Sequence, residues 1–156
     1  MLKPEVVADV KIARESFLDV IEEAKPILME HWEELATYLD VPLEPDYAAY
    51  EAIDKQGLLA IYTVRARGEL VGYSVYFVRR HLHYKITVAT NDIIMIRKHY
   101  RNFGLGSALF SFIELDLKDR GVDVIYTSAK LSHPELSLLL ELRGHKEVDR
   151  SFSLRL

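Results

Sequence analysis

The apolar positions of this chain change spacing from helical to alternating and back, and the changes mark out its elements. Residues 6–14 are β-branched enough for a short first strand. From Ser16 the apolar residues Phe17, Val20, Ile21 and Ala24 recur at helical spacing, with Ser16 and Asp19 offering capping chemistry, and Pro26 is expected to break or kink that run. A second helix then carries Ile27, Leu28, His31, Trp32, Leu35 and Ala36. A third starts near Asp46 and stops at Gly57. Residues 58–67 and 70–79 alternate on either side of Gly68 and Glu69, which predicts a hairpin. After the connection His81-Leu82-His83-Tyr84, residues 86–96 return as a long strand. A helix from Leu105 to Arg120 groups Leu105, Ala108, Leu109 and Phe112 on one side and ends at Gly121. A buried strand over residues 122–128, a helix entered through Ser132-His133-Pro134-Glu135 and closed by Gly144, and a last strand over residues 145–156 complete the series.

This order predicts an α/β class with a mixed, mostly antiparallel central sheet flanked by helices, in one domain over residues 1–156. A chain of this length with 49% hydrophobic residues can build a real core. No apolar run approaches a membrane span and the first residues do not read as a signal segment, so a soluble, cytoplasmic protein is expected. The absence of cysteine excludes disulfides, thiolate metal sites and an acyl-cysteine intermediate. The net charge of −4 conceals an asymmetry, with 14 acidic and 5 basic residues through residue 57 and 10 and 15 after it. An acidic front half argues against nucleic acid as a partner, although acidic helices are also commonly just solvated faces.

The segment that carries chemistry is Arg101-Asn102-Phe103-Gly104-Leu105-Gly106-Ser107, set between the long strand and the helix that follows. A helix begins with unpaired N–H groups and a partial positive charge, so a loop of small residues there can cradle phosphates. Neither a Walker loop nor a dinucleotide fingerprint is present. The R-x-x-G-x-G that does stand here resembles the main signature of the GNAT superfamily of N-acetyltransferases, [RQ]-x-x-G-x-[GA], and the predicted element order resembles that fold across essentially the whole chain. The stretch from His81 to Tyr84, with Thr90-Asn91-Asp92, is also similar to small GNAT proteins often encoded by tailed bacteriophages.

The resemblance implies acetyl-CoA as cofactor, its pyrophosphate on residues 101–107 and its pantetheine on the main chain of Ile94, Met95 and Ile96. It implies direct transfer to an amine, with Asp92, nine residues before Arg101, as the base. A free alkylamine has a pKa near 10, so something must take its proton. Strand alternation would put Thr90 and Asp92 on one face, opposite Asn91 and Ile93. The rival reading of Asp92 is a turn cap or an arginine partner. His83 is a candidate proton relay, and His81, Tyr84, His31 and Trp32 are candidate acceptor contacts. No metal is expected, since His-x-His without a third ligand is nonspecific. Where many members carry an acid tyrosine four residues before the last helix's terminal glycine, this chain has Leu140. That leaves His133 as a substitute acid, or else helix entry as its role. It also keeps open a second reading, a CoA-binding or virion-associated protein with little turnover. An open sheet is compatible with a homodimer.

Overall fold

A computed structural model describes residues 9–156. The first strand, β1, spans Val10–Glu15, and the part of its expected range before residue 9 lies outside the described residues. Strands β2 (Leu59–Ala66), β3 (Glu69–Arg80), β4 (Thr87–Ile96) and β5 (Val124–Tyr126) complete one sheet in the order β1-β2-β3-β4-β5. All neighbours are antiparallel except β4 and β5. This is the mixed, mostly antiparallel sheet that the alternating segments predict.

Helices α1 (Phe17–Leu35) and α2 (Tyr47–Lys55) cover one face, and α3 (Leu105–Asp119) and α4 (Pro134–Leu142) belong to the layer on the other. Both faces of the central strands are therefore buried. Tyr62, Val64, Tyr76 and Ala89 pack with Leu109, Phe110 and Ile113 of α3, while Ile61, Tyr73, Val75 and Met95 pack with Phe17, Val20 and Ile27 of α1. Burial on two faces explains why β2 and β3 read as nearly continuous apolar runs rather than clean alternations.

The structure corrects the sequence reading at three places. Pro26 does not break the first helix, because it sits on its exposed side, where the carbonyl it leaves unpaired can meet water. The anchors Phe17, Val20, Ala24 and Ile27 hold the 19-residue helix across it. β5 is three residues long instead of seven, because β4 and β5 separate after Thr90 and Tyr126. The last strand does not form: residues 145–156 lie outside the sheet, and Val148, Phe152, Leu154 and Leu156 are largely exposed. Their alternation suits a half-buried strand, but among the described residues no strand pairs with them. Arg155 and Ser153 instead reach the connection after α1, at Asp40 and Tyr38.

The charge asymmetry is consumed largely within the fold. Glu23, Glu30 and Glu34 recur along α1, and each holds an arginine from the basic part of the chain: Arg65, Arg97 and Arg101 in turn. Among the described residues no helix is long and apolar enough to cross a membrane.

Candidate active site

The site begins where β4 loses its regularity. Val75 faces Ile93 and Tyr76 faces Asn91, so Asp92 is an extra residue without a partner on β3, a β-bulge. Ala89, before it, packs in the α3 layer, whereas Ile93 and Met95, after it, pack in the α1 layer. Odd-numbered residues thus change sides across Asp92, and the single alternation expected along the strand does not hold. The carboxylate of Asp92 is left exposed on the α1 side, where Tyr50 of α2 donates its hydroxyl hydrogen to Oδ2. Burial, and then the bond to Asp92, push the Tyr50 hydroxyl above its usual range, so it stays a donor. Stacking on Phe17 and Phe77, with ring centroids 6.1 and 6.0 Å away, fixes it there.

On its other side β4 meets β5 only at Val88, Ala89 and Thr90. The next side chain, Asn91, closes the junction: its amide nitrogen donates to the Ser128 carbonyl at 3.3 Å and its oxygen accepts the Ser128 N–H at 2.6 Å. Beyond this wedge Ile94, Met95 and Ile96 pair with β3 and have no strand on the β5 side. That edge can hold an extended ligand by main-chain bonds as an added strand would be held. One of its groups is taken, since the Ile96 carbonyl accepts from Arg101 Nε at 2.6 Å.

The glycine loop follows a single 3-10 turn at Lys98–Tyr100. Asn102 and Gly104 have φ of 68° and 75°, and Gly104 caps α3 without any side chain bonding its first turn. The opening amides of α3 are left without helical partners. A Cβ placed on Gly104 would meet nothing within 4 Å, so the approach to those amides is open. Main-chain donors, a helix N-terminus and open space fit a pyrophosphate. Gly106 has a different constraint, because a Cβ there would come within 3.2 Å of Leu139 on α4. Its smallness serves helix packing. Phe103 packs against the α3 core, and the Ser107 hydroxyl and carbonyl accept from Arg143 at 3.1 and 3.2 Å.

Arg101 is committed to the fold. Its two terminal nitrogens form a fork on Glu34 at 2.6 and 2.9 Å, tying the loop to α1. The bond from Arg101 holds the Glu34 carboxyl below the usual range, against the opposing effect of burial. A carboxylate whose pKa is lower folded than unfolded stabilises the protein above the unfolded value and loses that contribution as pH falls through the folded one. Melting temperatures measured from about pH 7 down to about pH 3 should therefore drop more steeply for the native protein than for Glu34→Gln. Parallel curves would reject the pair as a source of stability.

A cavity of about 450 Å³ lies between α1, α2, their connection and the sheet, with Asp92 and Ile93 in its wall. Trp32 lines it as well. His31 stands near, its Nδ1 3.5 Å from the Tyr73 hydroxyl, and burial holds its imidazole below the ordinary range despite the charges of Glu34 and Asp92. Asp92, Trp32 and, beside them, His31 are the expected residues that come together.

The others do not. His81, His83 and Tyr84 cluster at the turn between β3 and β4, with ring centroids 4.7 to 6.3 Å apart. They do not line the cavity, and Thr87, where β4 begins, is already five strand residues from Asp92, about 17 Å. The turn is at the opposite end of β4 from the glycine loop. His133 begins α4, bonds Glu135 through Nδ1 at 2.8 Å and places Nε2 3.9 Å from Glu34. Leu140 is buried in the α3 layer. Nothing in the sequence marks Tyr50 or Glu34, and Asn91 stands out there only within Thr90-Asn91-Asp92. Two adjacent polar residues in an apolar strand, Asn91 and Asp92, were the available sign of a bulge. Among the described residues no group of three or more His, Asp or Glu side chains is placed to hold a metal.

The model of the acetyltransferase (GNAT) family matches residues 18–138, which includes the bulge, the splayed strands and the glycine loop. The chain belongs to this family. GNAT acetyltransferases use acetyl-CoA as acyl donor, and the open edge of β4 and the uncapped α3 are features that suit it. No curated protein matches the sequence. Solved structures with the same fold include a ribosomal-protein-alanine N-acetyltransferase from Brucella melitensis biovar Abortus 2308, with TM-score 0.72 and 19% identity over 94% of this chain and 99% of that one. Another is the aminoglycoside acetyltransferase meta-AAC0020 from an uncultured soil metagenomic sample, in complex with sisomicin, with TM-score 0.76 and 15% identity over 97% and 99%. The aminoglycoside N-acetyltransferase AAC(6')-Iy in complex with CoA has TM-score 0.70 and 14% identity over 94% of each chain.

Proposed function

We propose that this protein transfers an acetyl group from acetyl-CoA directly to a primary amine held in the cavity beside β4, with Asp92 accepting the amine's proton. The observation that carries the reading is the bulge, which turns a carboxylate toward the acceptor cavity on one side of β4 while the strand edge beyond it stays unpaired on the other. Acetyl-CoA supplies the activated acyl group. The main chain of Ile94 and the N–H of Ile96, which face away from β3, orient the pantetheine arm, and the amides of residues 103–107 hold the pyrophosphate. Arg101 positions the loop through Glu34 and Ile96 instead of spending its charge on the ligand.

Tyr50 occupies one oxygen of Asp92 and leaves the other for the amine or for a water between them. With Leu140 in the core, α4 offers no acid at that position. None is required near neutral pH, because a free thiol ionises at about 8.5 and its thiolate can leave and be protonated from water. The chain has no cysteine, so any thiol that appears in solution during the reaction is released CoA. Thiol release from acetyl-CoA that depends on added amine is the expected result. Tight CoA binding by calorimetry with no amine-dependent release from a broad panel of amines would favour a CoA-binding protein without turnover.

A further inference from the structure

The walls of the cavity say more about the acceptor than the fold does. We infer that the acceptor is a small monoamine with an apolar, ring-bearing body, and that polyamines, aminoglycosides and peptide lysines are poor substrates. The inference rests on the transfer reading above. Asp92 and Glu44 are the only charged side chains among the described residues lining the cavity. Asp92 lies beside Ile93 on the sheet, and Glu44 belongs to the connection between α1 and α2.

The remaining surface is mostly aliphatic or aromatic, as at Trp32, Val41 and Leu43, and the hydroxyls of Thr37, Tyr38, Tyr50 and Tyr73 in it already meet Lys130, Ser153, Asp92 and His31. A polycation needs several carboxylates, and a sugar needs a partner for each hydroxyl it buries. Each hydroxyl left without one weakens binding from several-fold to about a hundred-fold. A single ammonium directed to Asp92 meets the one carboxylate in the sheet wall, and an apolar body fills the rest. Aromatic walls favour flat rings, which stack or meet them edge-on. About 450 Å³ is toward the lower end of the roughly 300–1,000 Å³ span of small-molecule sites, enough for one or two rings on a short linker.

Trp32 is the only tryptophan in the chain and lines this cavity, so its fluorescence reports occupancy without any need for turnover. The probes are 2-phenylethylamine, cyclohexylmethylamine, spermidine, sisomicin and a short peptide carrying a lysine. Titration of each without acetyl-CoA should change Trp32 emission saturably for the first two alone. With acetyl-CoA present, thiol release should give those two a kcat/KM at least tenfold above the others. Val41 is exposed on the connection, so Val41→Asp should fold. It should raise KM for 2-phenylethylamine at least tenfold while CoA affinity by calorimetry stays unchanged.

Faster acetylation of spermidine, sisomicin or the peptide, with no fluorescence response to 2-phenylethylamine, overturns the inference and leaves the transfer reading standing. An unchanged KM in Val41→Asp also overturns it. Saturable fluorescence changes without thiol release from any amine support the cavity's selectivity and sink the transfer reading.

Discussion

Asp92→Asn is expected to lower kcat by about 10² to 10⁴ with the best acceptor, the range for loss of a positioned proton acceptor, and to leave CoA affinity unchanged. Asparagine keeps the size of the side chain and can still accept from the Tyr50 hydroxyl, so the bulge and the cavity wall survive. What it cannot do is take a proton. An amine with a pKa near 10 is almost entirely cationic at pH 7 and needs that proton removed before its nitrogen can attack a carbonyl carbon. The loss should therefore shrink as pH is raised and the neutral amine becomes abundant. Rates at several pH values, with CoA binding measured in parallel, check both parts. A variant as fast as the native enzyme would remove Asp92 from the reaction.

The second large effect is at the glycine loop. Gly104→Val places a β-branched residue at a φ of 75°, a conformation costing on the order of 1–3 kcal/mol for such a side chain. The added atoms stand in the open space before the first amides of α3. The protein should melt lower yet remain folded by circular dichroism, since a Cβ at Gly104 meets nothing within 4 Å. CoA affinity should fall by at least tenfold, because the pyrophosphate loses both its approach and the local geometry of its donors. Calorimetry with CoA on the folded variant decides it, and native affinity would refute the loop as the binding site.

Most of the architecture was legible because the sheet and helices carry strong periodicities. The hairpin of β2 and β3, the extent of α3 and the Pro134 entry to α4 follow from patterning and punctuation alone. Pro26 misled because a breaker's effect depends on which side of a helix it occupies, which a linear rule does not weigh. Residues 145–156 misled because alternation records a strand's preference and says nothing about whether an edge is available. At the candidate site, the glycine loop and the Asp92 carboxylate beside the cavity are marked in the sequence by motif and position. Tyr50 and Glu34 are not, since they acquire their places through contacts 42 and 67 residues away. The three histidine and tyrosine candidates of the β3–β4 turn failed for the complementary reason. Nearness along a strand is not nearness in space, at about 3.3 Å per residue.

The extra residue in β4 has a consequence for how this protein can change. Deleting Asp92 would do little more than remove a carboxylate: Asn91 opposite Tyr76 and Ile93 opposite Val75 would become neighbours on a regular strand, and every side chain from Ile93 to Ile96 would stay in its layer. Ile93 and Met95 would still pack in the α1 layer, and Ile94 and Ile96 in the α3 layer. The proposed chemistry thus rides on an insertion that the core does not need, and a deletion can abolish it while leaving the packing in place.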